Sequence, residues 1–324
     1  MRVIQVEQRG GPEVLTLAEH PAPQPGPGQI VAAVGAAGVN YMDIYQREGV
    51  GGYGPPLPFV TGGEGAGTVT AVGAGVTGLA AGDRVAWVGP GSYAEQVVLP
   101  ADRVVPVPDG ISTELAAAAI LQGMTAHYLV NSTHPVRAGD VAVVHAAAGG
   151  VGLLLTQMIK KRGGIVVATT SGGEGGEKAA LARGAGADHV TGYDLFRAVV
   201  AEATGGVGAH VVYDGVGQAT FDDSLASLRP RGMLVVYGAA SGQVPPFDIQ
   251  RLNSGGSLYA TRPTLAHYIA DVDEMRWRAR EVFDGIASGE LDVRIGGRYP
   301  LADAARAQQD LAARRTTGKL LLIP

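Results

Sequence analysis

Apolar positions follow two different rhythms along the chain. Up to about residue 122 they alternate with polar ones over short stretches, at 1–7, 29–35, 65–72, 83–87 and 93–99. Glycine and proline clusters at 21–28 and 51–58 separate these stretches, so a period of two predicts a β-rich region of short strands. From Leu115 onward, short continuous apolar runs at 141–145, 165–169, 189–190, 210–214, 233–237 and 257–260 alternate with helical stretches. Strands buried on both faces read this way, and six of them with intervening helices predict a doubly wound parallel sheet. After Arg262 come a helix over 265–288, an extended piece over 296–300, a helix over 302–314 and a last strand over 319–323. That tail is too small to stand alone and is expected to rejoin the β-rich region. The expected division is therefore 1–124 with 263–324, and 125–262.

One stretch of the second region carries chemistry. A buried strand at 141–145 leads into Ala147-Ala148-Gly149-Gly150-Val151-Gly152, then a helix over 151–162 and a second strand over 165–169. The turn is a G-x-G-x-x-G fingerprint with alanine at its first position. Small residues there let backbone approach a pyrophosphate, and the helix N-terminus points free N–H groups at its charge. Residues 141–159 hold only His145, Thr156 and Gln157 as clearly polar side chains, which resembles a membrane span by hydropathy. The paired glycines in mid-segment and the valine clustering favour a soluble strand–turn–helix instead.

Composition narrows the picture without changing it. With 324 residues there is room for two domains, and a net charge of −5 argues against a broad phosphate-binding surface. The chain has no cysteine, so disulfides, a thiolate nucleophile and cysteine-ligated metal are excluded. The N-terminus starts as an alternating strand without a signal-peptide apolar core, so a cytoplasmic location is expected.

Several motifs in order along the chain resemble the medium-chain dehydrogenases/reductases: GGPEVL at 10–15, GVNYMDIY at 38–45 and AGDRV at 81–85. HAAAGGVG at 145–152, VVYDGVG at 211–217, GSLYATRP at 256–263 and the closing LLIP narrow the resemblance to the zinc-independent NADPH:quinone oxidoreductases, the zeta-crystallin-like family. The resemblance implies a Rossmann nucleotide domain with a β-rich GroES-like catalytic domain. It implies NADPH-dependent reduction of quinones by direct hydride transfer, without zinc or flavin. Conjugated-enone reduction on the same scaffold is the alternative, and a non-catalytic NADPH-responsive RNA-binding or structural protein is the reading from another class. Acidic charge and the lack of a basic, aromatic-interleaved stripe weigh against nucleic acid.

Zinc-dependent relatives carry a cysteine near the position of Asn40 and a histidine in a Gly-His-Glu triplet; here that triplet is Gly62-Gly63-Glu64. The seven histidines show no zinc-like spacing, so no metal is expected. Where an NAD-binding fold places an acid after its second strand, this chain has Thr169-Thr170-Ser171-Gly172, leaving room for a 2′-phosphate. The resemblance places the phosphate-gripping lysine at Lys178 and its tyrosine at Tyr193. The loop 172–176 is longer than usual and brings Glu174, a carboxylate unfavourable to phosphate. The cofactor contacts the resemblance implies are Asn40, Thr125, Ala148, Gly149, Gly150, Val151, Gly152, Ser171, Lys178, Tyr193, Tyr237, Gly238 and Arg314.

For the chemistry, the resemblance points to Asn40, Tyr45 and Arg262, whose amide, phenol and guanidinium can stabilise negative charge on a carbonyl oxygen. Each has a plainer role available: Asn40 as a cap before a helix, Tyr45 as an interface aromatic, Arg262 as an anchor. Asp43 reads as structural. An edge strand near 255–260 and the resemblance together imply a homodimer.

Overall fold

The computed structural model describes all residues, 1–324, and divides the chain into two compact units: Met1–Gln122 with Asp271–Pro324, and Gly123–Ala270. The first unit contains β1 (Arg2–Val6), β2 (Leu15–Glu19), β3 (Gln29–Val39), β4 (Phe59–Val60), β5 (Glu64–Val72), β6 (Arg84–Val88), β7 (Gln96–Pro100) and β8 (Val104–Pro106). Helix α1 (Tyr41–Glu48) follows β3, and α2 (Thr113–Tyr128) leads into the second unit. There the strands are β9 (Val141–Val144), β10 (Ile165–Thr169), β11 (His189–Thr191), β12 (Ala209–Asp214), β13 (Leu228–Val236) and β14 (Tyr259–Thr261). Between them lie α3 (Gly150–Lys161), α4 (Gly176–Gly184), α5 (Phe196–Ala203), α6 (Phe221–Ala226) and α7 (Gln250–Ser254). Then come α8 (Leu265–Tyr268), α9 (Val272–Ala287), β15 (Ile295–Pro300), α10 (Ala304–Ala312) and β16 (Lys319–Ile323).

The second unit is a six-stranded sheet in the order β11-β10-β9-β12-β13-β14, every pair parallel. This is the doubly wound order, with the strand order reversing beside β9, where ligands collect at carboxyl ends. All of β9 is buried, as its unbroken apolar run requires of a central parallel strand. Val143, Val167, Val212 and Leu234 from four strands pack with Phe196 and Phe221 in one core.

The first unit is built on β3, eleven residues long, which pairs with β5, β7 and β16. The tail completes this sheet: β15 and β16 extend it in the order β15-β16-β3-β5-β6-β8. Trp87, Tyr93, Val39 and Leu322 meet in its core. No helix is long and apolar enough to cross a membrane, including the apolar run at 141–159, which is split by the turn before α3.

Two helices differ from expectation. The stretch 265–288 is two helices, because Asp271 accepts a hydrogen bond from the Glu274 N–H (2.8 Å) and starts α9 afresh. The helix expected over 302–314 opens with a 3-10 turn at Leu301–Asp303 and ends at Ala312, since Arg314 is left-handed with φ +57°. The hairpin partner β2 and the short β4 and β8 were not among the expected strands.

Candidate functional site

In the nucleotide unit the fingerprint turn is built by close backbone approach. The residue that turns the chain is Ala146, left-handed at φ +52°, one position before the fingerprint begins. Ala147 N–H donates to Thr169 O (3.0 Å) and Gly149 N–H to Ala146 O (2.9 Å), which fixes the turn to β10. A Cβ on Gly152 would lie 2.5 Å from Ala146 O and 2.7 Å from Ala147 Cα, so only glycine lets α3 start here. Gly149 caps α3 in extended conformation, leaving the N–H groups of Gly150, Val151 and Gly152 without partners inside the helix. Ala148 is buried.

Beyond β10, Thr170 closes the next loop, its N–H donating to Thr191 O (3.1 Å) and its hydroxyl to Gly173 O (2.8 Å). Ser171 and Lys178 come together, Lys178 Nζ donating to Ser171 Oγ at 2.9 Å at an exposed position. Arg183, which the sequence did not single out, donates to Glu174 O (2.9 Å) and adds a second cation to the loop carrying that acid. Its signal was position: it sits five residues beyond Lys178 on α4.

Behind this face runs a buried polar chain that the sequence did not disclose. Asp214 at the end of β12 accepts from Val216 and Gly217 N–H (2.8 and 2.9 Å), from Thr220 Oγ1 and from Ser224 Oγ (2.9 Å). Ser224 thus gives its proton to Asp214 and must accept from His145 Nε2 (2.9 Å), so His145 Nδ1 accepts from Thr169 Oγ1 (2.8 Å). Burial holds His145 below its ordinary range, against the opposing pull of Asp214, and the ring is neutral. Tyr193 lies beside this ring, centroids 5.8 Å apart. The Tyr237 phenol is pushed well above its ordinary range by burial, with Asp214, Tyr128 and Tyr193 adding to the shift. Gly238 is needed because a Cβ there would meet Gly215 O at 2.5 Å. Thr125 is buried on α2. Arg262 follows β14 at an exposed position and donates to Pro263 O at 3.3 Å.

In the β-rich unit Asn40 sits at the junction of β3 and α1, buried, with its amide fully oriented. Its Nδ2 donates to Glu64 Oε1 (2.7 Å) and its Oδ1 accepts from Lys319 Nζ (2.8 Å). Lys319 also pairs directly with Glu64, both side chains fully buried, and the other Glu64 oxygen accepts from Leu121 N–H (2.9 Å). Asn40 N–H donates to Asp43 Oδ2 (2.8 Å), which also accepts from Tyr93 Oη (2.8 Å). Burial pushes the Asp43 carboxyl up to about 6, opposed by the hydrogen bonds from Asn40 and Tyr93 and by the charge of Lys319. Asp43 thus ties the start of α1 to Tyr93.

Tyr45 belongs to a row of tyrosines: its ring centroid lies 6.2 Å from Tyr41 and 6.0 Å from Tyr53. Arg314, two residues past the end of α10, engages the Tyr41 phenol, which also donates to Leu311 O (3.0 Å). Neither Tyr41 nor Tyr53 was singled out by sequence, although the four-residue spacing of Tyr41 and Tyr45 puts them on one helix face.

The donor set around Asn40 does not suit zinc. An ammonium, Lys319, already neutralises Glu64, no thiolate exists in the chain, and no group of three histidine, aspartate or glutamate side chains converges anywhere.

Two family models match the chain: an alcohol dehydrogenase GroES-like domain over 26–109 and a zinc-binding dehydrogenase domain over 150–272. The chain is 43% identical to a quinone oxidoreductase of Pseudomonas aeruginosa, covering 99% of both. It is 38% identical to a 2-haloacrylate reductase of a Burkholderia species, covering 98% of both. A mycobacterial protein solved in complex with NADPH superposes with a TM-score of 0.96 at 50% identity, over 100% of each chain.

Proposed function

The chain belongs to the quinone oxidoreductases of the medium-chain dehydrogenase/reductase superfamily, and we propose that it reduces quinones with NADPH. The observation that carries this reading is the end of β10, where the Lys178–Ser171 pair stands in place of the carboxylate that would hold a ribose 2′-hydroxyl. A cation with a hydroxyl suits a 2′-phosphate. The free N–H groups at the start of α3 and the small residues before it suit a pyrophosphate. Ala148, Gly149, Gly150, Val151, Gly152, Ser171, Lys178 and Tyr193 would hold the nucleotide half. Thr125, Tyr237 and Gly238 of the same unit would face the nicotinamide half.

NADPH when bound supplies the hydride, and the overall change takes up one further proton from solvent to give the hydroquinone and NADP⁺. The chain's own residues orient and stabilise. Tyr45 offers its phenol to the carbonyl oxygen as negative charge develops, and Arg262 offers a guanidinium. The Asn40 amide is fixed by Glu64 and Lys319, so it serves as a rigid positioning group. Arg314 is proposed to act through Tyr41, whose phenol it engages.

A second reading, reduction of an activated carbon–carbon double bond, is favoured by the full-length similarity to the 2-haloacrylate reductase. Offering purified protein and NADPH either a naphthoquinone or 2-chloroacrylate separates them. Faster quinone turnover is expected; turnover of the acrylate alone would replace the first reading with the second. We further propose a cytoplasmic homodimer. It is supported by β14, which pairs only with β13 and carries an exposed Tyr259, together with exposed Phe247 and Ile249.

A further inference from the structure

The β-rich unit carries a cleft of about 430 Å³ lined by apolar side chains and two arginines. Leu79, Ala101, Val105, Pro106 and Phe283 form its apolar walls, and Arg276, Arg280 and Asp284 of α9 contribute its charges. None of these residues belongs to the site described above. Leu79 and Ala101 rest on the sheet core, so the cleft has a firm floor.

The arginines are unusual for this helix. Arg276 and Arg280 are four residues apart, hence on one face, where like charges repel. Neither forms an ion pair, although Asp273 and Asp284 lie within helical reach and are themselves unpaired. Arg278, between them, is treated differently: it is buried, paired with Glu274 and lies over the Trp277 ring at 4.9 Å. Two guanidiniums that form no ion pair, beside an apolar cleft, complement a ligand with an apolar body and an anionic end. Asp284 on the same wall disfavours a second negative charge. The volume lies at the lower end of the range of about 300–1,000 Å³ common for small-molecule sites.

We propose that this cleft binds an amphipathic monocarboxylate, its chain against Leu79, Val105 and Phe283 and its carboxylate on Arg276 and Arg280. The site is separate from the reductase chemistry. Isothermal titration of NADPH-saturated protein with decanoate tests it, with decanol as the uncharged control. Saturable one-to-one binding is expected, weaker for decanol, and weakened by about tenfold or more in the Arg276→Ala/Arg280→Ala double variant. Both arginines are exposed, so that variant folds and keeps its quinone turnover. Absence of saturable decanoate binding, equal binding in the double variant, or displacement of decanoate by the quinone acceptor would each overturn the proposal.

Discussion

A lysine with no exposed surface holds together the polar centre of the β-rich unit. Lys319 joins Glu64 and Asn40, residues 255 and 279 positions away in sequence. Nothing in its neighbourhood, Gly318 and Leu320, announces that contact. Removing one partner of a buried pair leaves the other charge uncompensated. Lys319→Met should therefore lose about 3–5 kcal/mol of stability, measured by urea unfolding, and adding Glu64→Gln should restore part of it. A loss below about 1 kcal/mol would mean the pair is far better solvated than its burial implies. Asp43 supplies a pH signature. Its carboxyl is raised to about 6 in the folded chain, so between about pH 4 and 6 the native state keeps a proton the unfolded chain has released. Its contribution to stability is complete below about pH 4 and is lost as pH rises through 6. The difference in unfolding free energy between wild type and Asp43→Asn should slope across that window and be flat above it. A flat difference across that window would place the carboxyl in the ordinary range, and a slope lying wholly below pH 4 would place it below that range.

At the scale of elements, legibility followed locality. The β9–turn–α3–β10 unit was readable because its apolar runs and its glycines are contiguous and each glycine answers a local steric demand, as at Gly152. The break before α9 was also written locally, since Asp271 and Glu274 stand in the spacing of a capping pair. What stayed hidden joins distant segments, such as the His145–Ser224–Asp214 chain linking β9, α6 and β12. Hydrogen-bond partners across a sheet leave no periodic trace. The edge strand β14 carries its own prediction. Light scattering should give twice the mass expected for one 33.0 kDa chain, and Tyr259→Arg should shift it towards the single-chain value. A single-chain mass for wild type at micromolar concentration would remove β14 as an interface.

At the scale of the whole molecule, the nucleotide unit carries Lys178 on α4 beside the loop after β10, and the β-rich unit holds a buried cation, Lys319, of its own. The most direct test is the rate of NADPH oxidation by a naphthoquinone, measured against NADH on protein dialysed with chelator, in wild type and Lys178→Ala. Wild type should turn over without added metal and favour NADPH, and the variant should lose about tenfold in kcat/KM for NADPH with little change for NADH. Equal use of both nucleotides by wild type, or activity that vanishes with chelator and returns with zinc, would contradict it.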